Sequence, residues 1–202
     1  MALDHFYTIK DKKKINILDA IERCMQKFDY DELSINDIVT EADISRGSFY
    51  NYFYDKSDAV ETLVKEKTKI IFSVFKECII ENDGRLLDGA YEGYMRVKGM
   101  LKNKIFLTVM KNLKYFIEIG LKIIYSESYE KEFVEFVDWL LENTVEGRTK
   151  ITTREQMANV VDLLISLISN MTLKIVLASG EKNENDGIDY KFNIIRKGIE
   201  SL

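Results

Sequence analysis

Not one proline occurs among the 202 residues of this chain. Proline locks φ and removes a backbone donor, so it is the residue that most often stops a helix or punctuates a loop. Without it, helical periods run on uninterrupted, and strand-rich or loop-rich architectures lose their usual boundaries. Hydrophobic residues make up 46% of the chain, enough to bury a core in one compact domain or in a small domain beside a larger one. Apolar residues recur at helical spacing over 12–28, in two short stretches between 34 and 52, and over 57–81, 85–101, 103–125, 127–143 and 153–178. A last helical period follows residue 187. The stretch 103–125 is open to interruption near Gly120, and 143–152 and 179–187 read as polar loops. An all-α protein is expected.

The two short stretches carry the most chemistry. Ser34 and Asp37 form an S-x-x-D capping pattern, in which the hydroxyl accepts an orphan amide and the carboxylate complements the helix dipole. Ile35, Ile38, Val39 and Ala42 give the following helix one apolar face. Asp43 stands where the chain must turn, and Asp tolerates a left-handed backbone better than most residues. Ile44 plugs that turn and Ser45 is placed to cap the next helix. Over 45–52, Phe49, Tyr52 and Phe53 share a face that pins the helix inward. Arg46, Gly47, Tyr50 and Asn51 take the opposite arc, with Ser48 at its edge. Arg is the commonest bidentate reader of guanine, and Asn and Ser read bases or hold phosphates. Gly47 removes bulk where a backbone must approach closely. Two short helices across a tight turn, with that outer face, are what lays a helix in the major groove of DNA. Taken alone, the same face is also an ordinary solvated surface.

The surroundings favour the groove. Ile17, Ile21, Cys24 and Phe28, with Leu18 and Met25 alongside, make 12–28 an amphipathic helix ahead of the pair, and a long helix follows from Ser57. This order, with the run Ala42-Asp43-Ile44-Ser45-Arg46-Gly47-Ser48-Phe49-Tyr50-Asn51-Tyr52-Phe53 and then Asp55-Lys56-Ser57, resembles the DNA-binding domain of the TetR family of bacterial transcription regulators. The resemblance implies an N-terminal three-helix helix-turn-helix DNA-binding domain over 8–68. A larger helical ligand-binding and dimerisation domain over 69–202 would be joined to it. It implies that Ser45, Arg46, Gly47 and Ser48 enter the groove, and that Tyr50 and Asn51 hold phosphates or a base edge. Lys56 would clamp the DNA backbone, and Ser34 and Asn36 would flank the groove. Asp29 and Asp43 depart from the family pattern, which often has Gly at both places; a positive φ at each is the expected accommodation.

Charge restricts how such a unit could bind. The chain carries a net charge of −5, and residues 1–60 hold eight Lys and Arg against twelve Asp and Glu, a net of −4. Affinity for phosphates must then come from where individual cations stand. Lys10, Lys12, Lys13, Lys14, Arg46 and Lys56 are the candidates. The lysine cluster reads either as a solvated tail or as an arm for phosphates or the minor groove, since cations at a helix N-terminus oppose its dipole. Cys24 and Cys78 are too few for a disulfide framework and sit on apolar faces as small hydrophobes. The one histidine, His5, falls in the expected N-terminal tail, which leaves no histidine-based zinc site or triad. No metal, no cofactor and no enzymatic activity are expected, because no phosphate loop, dinucleotide fingerprint or nucleophile–base pair is present. The opening residues mix Asp4 and His5 with apolar ones, unlike a secretory leader. Polar residues Asn159, Asp162, Asn170 and Lys174 interrupt the most apolar segment, so no membrane span is expected. A cytoplasmic protein is the resulting expectation.

In the larger half, the helix from 153 begins with two overlapping capping boxes, Thr152 with Glu155 and Thr153 with Gln156. Beyond them it is apolar almost all round, leaving Asp162, Ser166, Asn170 and Lys174 as a narrow polar stripe. Such a helix must be buried on two sides. Its own domain supplies one, and a second copy of the chain is the natural other. The last helix repeats Ile188, Phe192, Ile195, Ile199 and Leu202. Two such helices meeting their copies across a two-fold axis make a four-helix interface, although the same pair could simply close a monomeric core. Tyr91, Tyr94, Met95, Phe106, Met110, Phe116, Phe136 and Trp139 supply aromatic and sulfur surface between these elements. They suit either a packed core or, as the resemblance implies, a cavity for a small lipophilic or aromatic inducer. The expected function is a homodimeric repressor on a palindromic double-stranded DNA operator, released by that inducer. A helical DNA-associated or partner-regulated dimer with no small-molecule inducer is the alternative.

Overall fold

In the computed structural model, the described residues are 2–101, 127–177 and 187–201, with Asn112, Tyr115 and Glu118. Apart from those three residues, the helix expected over 103–125 lies outside them, as does most of the loop expected over 179–187. Regular structure among the described residues is helical throughout. The chain divides into two compact units, one of Met1–Lys69 with Lys104–Ile124, the other of Ile70–Asn103 with Tyr125–Leu202.

The first unit is built on α1 (Asp4–Thr8), α2 (Asp11–Lys27), α3 (Ile35–Ala42), α4 (Arg46–Tyr52) and the start of α5 (Lys56–Glu81). Helix α2 buries Ile17, Ala20, Ile21, Cys24 and Met25 and packs along α3. The capping pattern at α3 forms in full: Ser34 Oγ accepts the Asp37 N–H at 3.3 Å, and Asp37 Oδ2 accepts the Ser34 N–H at 2.9 Å. Those bonds from Ser34 hold the Asp37 carboxyl below its ordinary range. Asp43 takes φ 52° and ψ 50°, the left-handed turn the sequence calls for, and the Asn16 amide donates to the Ala42 carbonyl at 2.9 Å to finish that helix end. Asp29 behaves otherwise. Its φ is not positive; its carbonyl instead accepts the Glu32 and Leu33 N–H groups, each at 3.0 Å, so a hydrogen-bonded turn replaces the glycine-like one. Helix α5 opens with a reciprocal cap of its own, the Asp58 N–H to Asp55 Oδ1 at 2.8 Å and the Tyr54 N–H to Asp58 Oδ2 at 2.9 Å.

The segment before residue 10 is not a loose tail. Residues Asp4–Thr8 form α1, which packs on α4 with Phe6 fully buried and the His5 ring stacked on Tyr52.

The second unit holds the rest of α5, then α6 (Leu86–Leu101), α7 (Glu127–Asn143), α8 (Val145–Thr149), α9 (Arg154–Leu177) and α10 (Ile188–Glu200). Helix α5 stops at Asp83 (φ 56°) and Gly84 (φ 75°), where a Cβ on Gly84 would lie 2.7 Å from the Asn143 carbonyl. On α5 the apolar Ile70 and Ile71 stand exposed, while Val74, Cys78 and Ile79 carry the packing. The expected polar loop 143–152 contains α8, nucleated by Thr144, whose Oγ1 accepts the Gly147 N–H at 2.9 Å. Of the two boxes offered to α9, Thr153 with Gln156 forms, and Gln156 Oε1 also accepts the Thr152 N–H at 3.1 Å.

Met157, Val161, Leu164 and Met171 of α9 pack with Phe136, Val137 and Leu140 of α7 and with Leu87, Ala90 and Tyr94 of α6. Arg154–Lys174 is long and apolar enough, at a mean hydropathy of 1.2, to match a membrane span in length and composition, a match that the core helix of a folded domain also gives. Its core contacts mark one face as packed against this unit. Leu163 (53% exposed) and Leu173 (41%) lie on the rest of its circumference. The stripe Ile188, Phe192, Ile195 and Ile199 of α10, read as half of a subunit interface, packs into this same core. The apolar side chains that α10 turns outward are Tyr190 and Ile194.

Candidate nucleic-acid interface

Helix α4 is only seven residues long, and an isolated helix of that length does not persist in water. It is held by its cap and its inner face. Ser45 Oγ accepts the Ser48 N–H at 3.0 Å, and the two hydroxyls lie 2.9 Å apart. Phe49 and Tyr52 are buried with Phe53, the Phe49 and Phe53 rings 5.3 Å apart. Arg46, Gly47, Tyr50 and Asn51 are exposed on the other side, with Ser45 beside them and Ser48 half-buried.

Three of the expected site residues meet across the turn. Arg46 Nη1 donates to Asn36 Oδ1 at 2.7 Å, its Nη2 lies 3.4 Å from the Tyr50 hydroxyl, and the guanidinium stands 5.8 Å from the centre of the Tyr50 ring. The fork is thereby stretched over the surface with its neighbours as neutral partners. A neutral amide and a phenol are readily exchanged for the O6 and N7 of guanine or for a phosphate, because neither compensates the charge. Gly47 has open space: a Cβ there would meet only Ser45 Oγ, at 3.8 Å.

The remaining expected residues are engaged differently. Ser34 spends its hydroxyl on the α3 capping box, donating to Asp37 Oδ2 at 2.5 Å. Lys56 turns its ammonium onto the Tyr30 carbonyl at 2.7 Å and the Leu33 carbonyl at 2.8 Å, 4.3 Å from the centre of the Tyr30 ring. Two of its three N–H bonds thus secure the turn before α3, and one is left to donate.

The lysine cluster is partly spoken for. Lys13 lies 5.5 Å from the centre of the Tyr52 ring and Lys14 6.0 Å from that of Tyr7, while Lys10 and Lys12 are exposed. Glu41 ties two further cations of this unit, Arg23 at 2.7 Å and Lys27 at 2.6 Å, and those bonds lower its pKa. Burial pushes the Cys24 thiol up to about 11, so it stays protonated and packs as a hydrophobe.

Three hydrogen bonds of the first unit had no signal in the sequence. The Leu3 N–H donates to the Tyr52 carbonyl at 2.8 Å. Asn112, buried and 82 positions from its partner, accepts the Tyr30 N–H at 2.6 Å and donates to the Met25 carbonyl at 3.3 Å. Neither a backbone donor nor a lone amide leaves a periodicity to read.

The residues expected to line a ligand cavity separate. Tyr94 and Phe136 are core residues, Trp139 is half-buried with Lys76 Nζ 5.2 Å from its ring centre, and Phe106, Met110 and Phe116 lie outside the described residues. Tyr91 and Met95 do line a cleft of about 610 Å³. Asn82, Asp88, Glu92, Asp189, Phe192, Asn193 and Arg196 complete it, a more polar wall than the aromatic supply suggests. Arg196 pairs with Asp88 from α10 to α6 at 2.5 Å, and the Tyr91 and Phe192 rings meet edge to face at 5.5 Å. These polar residues come from α6, α10 and the turn after α5, so only tertiary packing gathers them.

Residues 17–62 match the family model described as bacterial regulatory proteins, tetR family, which bears out the resemblance carried by the run from Ala42 to Ser57. The match covers α2, α3, α4 and the start of α5, the helices that carry the helix-turn-helix geometry described above. The whole chain also aligns with a solved structure, a TetR family transcriptional regulator from Chloroflexus aurantiacus J-10-FL. That alignment has 16% identity and a TM-score of 0.41, and covers 100% of this chain and 94% of the other. No curated protein matches the sequence.

Proposed function

With a tetR-type domain over residues 17–62 as the premise, we propose that this chain is a homodimeric transcriptional repressor acting in the cytoplasm. Each copy lays α4 in the major groove of a palindromic operator. A small lipophilic or aromatic molecule in the second unit releases it. The observation that carries the DNA reading is the exposed cluster of Asn36, Arg46 and Tyr50 at the capped end of α4. Arg46 reads a guanine or a phosphate; Ser45, Ser48 and Asn51 add contacts around it, and Gly47 lets the backbone approach. Ser34 and Asn36 flank the groove, and Lys56 offers its remaining N–H to a phosphate. The dimer is supported by the apolar side chains that α9 and α10 leave exposed, Leu163, Leu173, Tyr190 and Ile194, which a second copy would cover. Two copies would set their reading helices about 34 Å apart, one turn of the duplex.

Release would work by population shift. A ligand that prefers a state with α5 displaced draws the molecule toward spacings that no longer fit two successive major grooves. The second reading, a DNA-binding dimer with no inducer, is favoured by one observation: Tyr94 and Phe136 fill the core instead of facing open space.

The test is selection of duplexes from a random library at stated salt. Enrichment of palindromes with half-sites one turn apart is expected, and Arg46→Ala should weaken binding to the winner by about 1–3 kcal/mol. Wild-type binding by Arg46→Ala would overturn the groove assignment. Thermal shift and duplex release against a panel of lipophilic compounds separate the two readings: silence in both favours the dimer without an inducer.

A further inference from the structure

The last turn of α4 leaves carbonyl groups with no partner inside the helix, as every helix end does. One of them, that of Tyr52, accepts the N–H of Leu3 at 2.8 Å, from the segment entering α1. One turn further on, Phe6 is fully buried, its ring 5.0 Å from Phe53 and 6.2 Å from Tyr52, and the His5 ring stacks on Tyr52 at 5.7 Å. Helix α1 has five residues and α4 seven, lengths at which neither is stable without tertiary support. At its other end α4 is held by the Ser45 cap. Its exposed face follows the orientation these two ends impose.

We propose that Leu3 and Phe6 are positioning residues for DNA reading, a strut that clamps the C-terminal end of α4 so that Arg46, Tyr50 and Asn51 present at a fixed angle to the groove. The inference rests on the reading of α4 as the DNA-contacting helix. Neither residue carries a side-chain charge or a side-chain hydrogen-bonding group, so the strut supplies aim without adding a phosphate contact. Small errors of aim are expensive when two readers must fit two half-sites at once.

The experiment compares wild type, Phe6→Ala, Phe6→Leu and Leu3→Pro on the duplex that the wild-type chain enriches from a random library. Leu3 already has φ −68°, so proline there removes the N–H while keeping the backbone angle. Binding is measured by fluorescence anisotropy over a series of salt concentrations, with hydrogen exchange read at the Tyr52 and Phe53 amides and at those of α2 and α3. Phe6→Ala is expected to lose about tenfold in affinity, Leu3→Pro several-fold, and Phe6→Leu to recover most of the loss. The slope of log K against log salt should stay at the wild-type value, because no cation leaves the interface. Exchange should quicken at Tyr52 and Phe53 and stay slow in α2 and α3, which separates a lost strut from an unfolded domain. Wild-type affinity in both Phe6→Ala and Leu3→Pro would overturn the strut alone. So would a slope shallower by about one, since cationic contacts would then have gone with the segment. A wild-type chain that enriches no duplex would overturn the DNA-reading function, and the strut with it.

Discussion

A methyl group added at Gly47 would meet only the Ser45 hydroxyl, at ordinary contact distance, so neither packing nor backbone conformation demands glycine there. Gly84 and Gly147 differ: a Cβ on either would come within 2.7 Å of a neighbouring oxygen. Glycine in a helix forfeits roughly 0.5–1 kcal/mol relative to alanine. A residue that weakens its own helix without serving the fold is explained by what lies outside it. Gly47→Ala should therefore raise the unfolding free energy by up to about 1 kcal/mol while weakening duplex binding. Urea denaturation and anisotropy on the same preparation check the opposed signs, and a variant that binds at least as well as wild type would remove the close-approach role of Gly47. At this scale the sequence was candid about Arg46, Gly47, Tyr50 and Asn51, because outward position follows from helical angle alone. It was silent on Lys56, whose charge suggests a phosphate clamp but whose ammonium closes a loop through two carbonyls that no pattern reveals.

Among the elements, α3 is the one whose ends are most completely written in local code. Ser34 with Asp37 starts it and Asp43 stops it, and each does so in the structure. Ser34→Ala should cost about 1 kcal/mol of stability. The pH dependence follows from Asp37. Its pKa is lowered in the folded chain by hydrogen bonds from the Ser34 hydroxyl and N–H, so its contribution is present above the unfolded value near about 4 and disappears as pH falls through the folded one. The stability gap between wild type and Asp37→Asn, measured by urea denaturation across pH, should be full at neutrality and close in acid. A gap unchanged at low pH would mean that the carboxylate charge does not support the cap. Long helices were legible because two or more turns give a period to count. Helices α1 and α8, five residues each, gave none, and α1 owes its existence to Phe6 finding Phe53 across the unit. The cleft in the second unit was illegible for a related reason: its charges come from α6 and α10, which the sequence separates by about ninety residues.

For the molecule as a whole, the proposed dimer divides the two-sided apolar character of α9 between its own unit and a copy. Among the described side chains of that helix Leu163 is the most exposed large hydrophobic, so Leu163→Glu should leave the monomer fold intact. In an isologous interface each substitution is met twice, and placing a carboxylate there should weaken self-association by about a hundredfold. Sedimentation at matched concentrations reads this directly, and an unchanged mass would move the interface elsewhere. The charge arrangement of the first unit has a separate consequence. Because Glu41 occupies Arg23 and Lys27, and the first sixty residues are net acidic, the proposed DNA reading predicts that random chromosomal DNA would offer this unit little adhesion. If the proposed DNA reading holds, a molecule built this way would not be titrated away by the genome at large: it would dwell only where the base pattern itself rewards contact, and few copies would keep a rare address occupied.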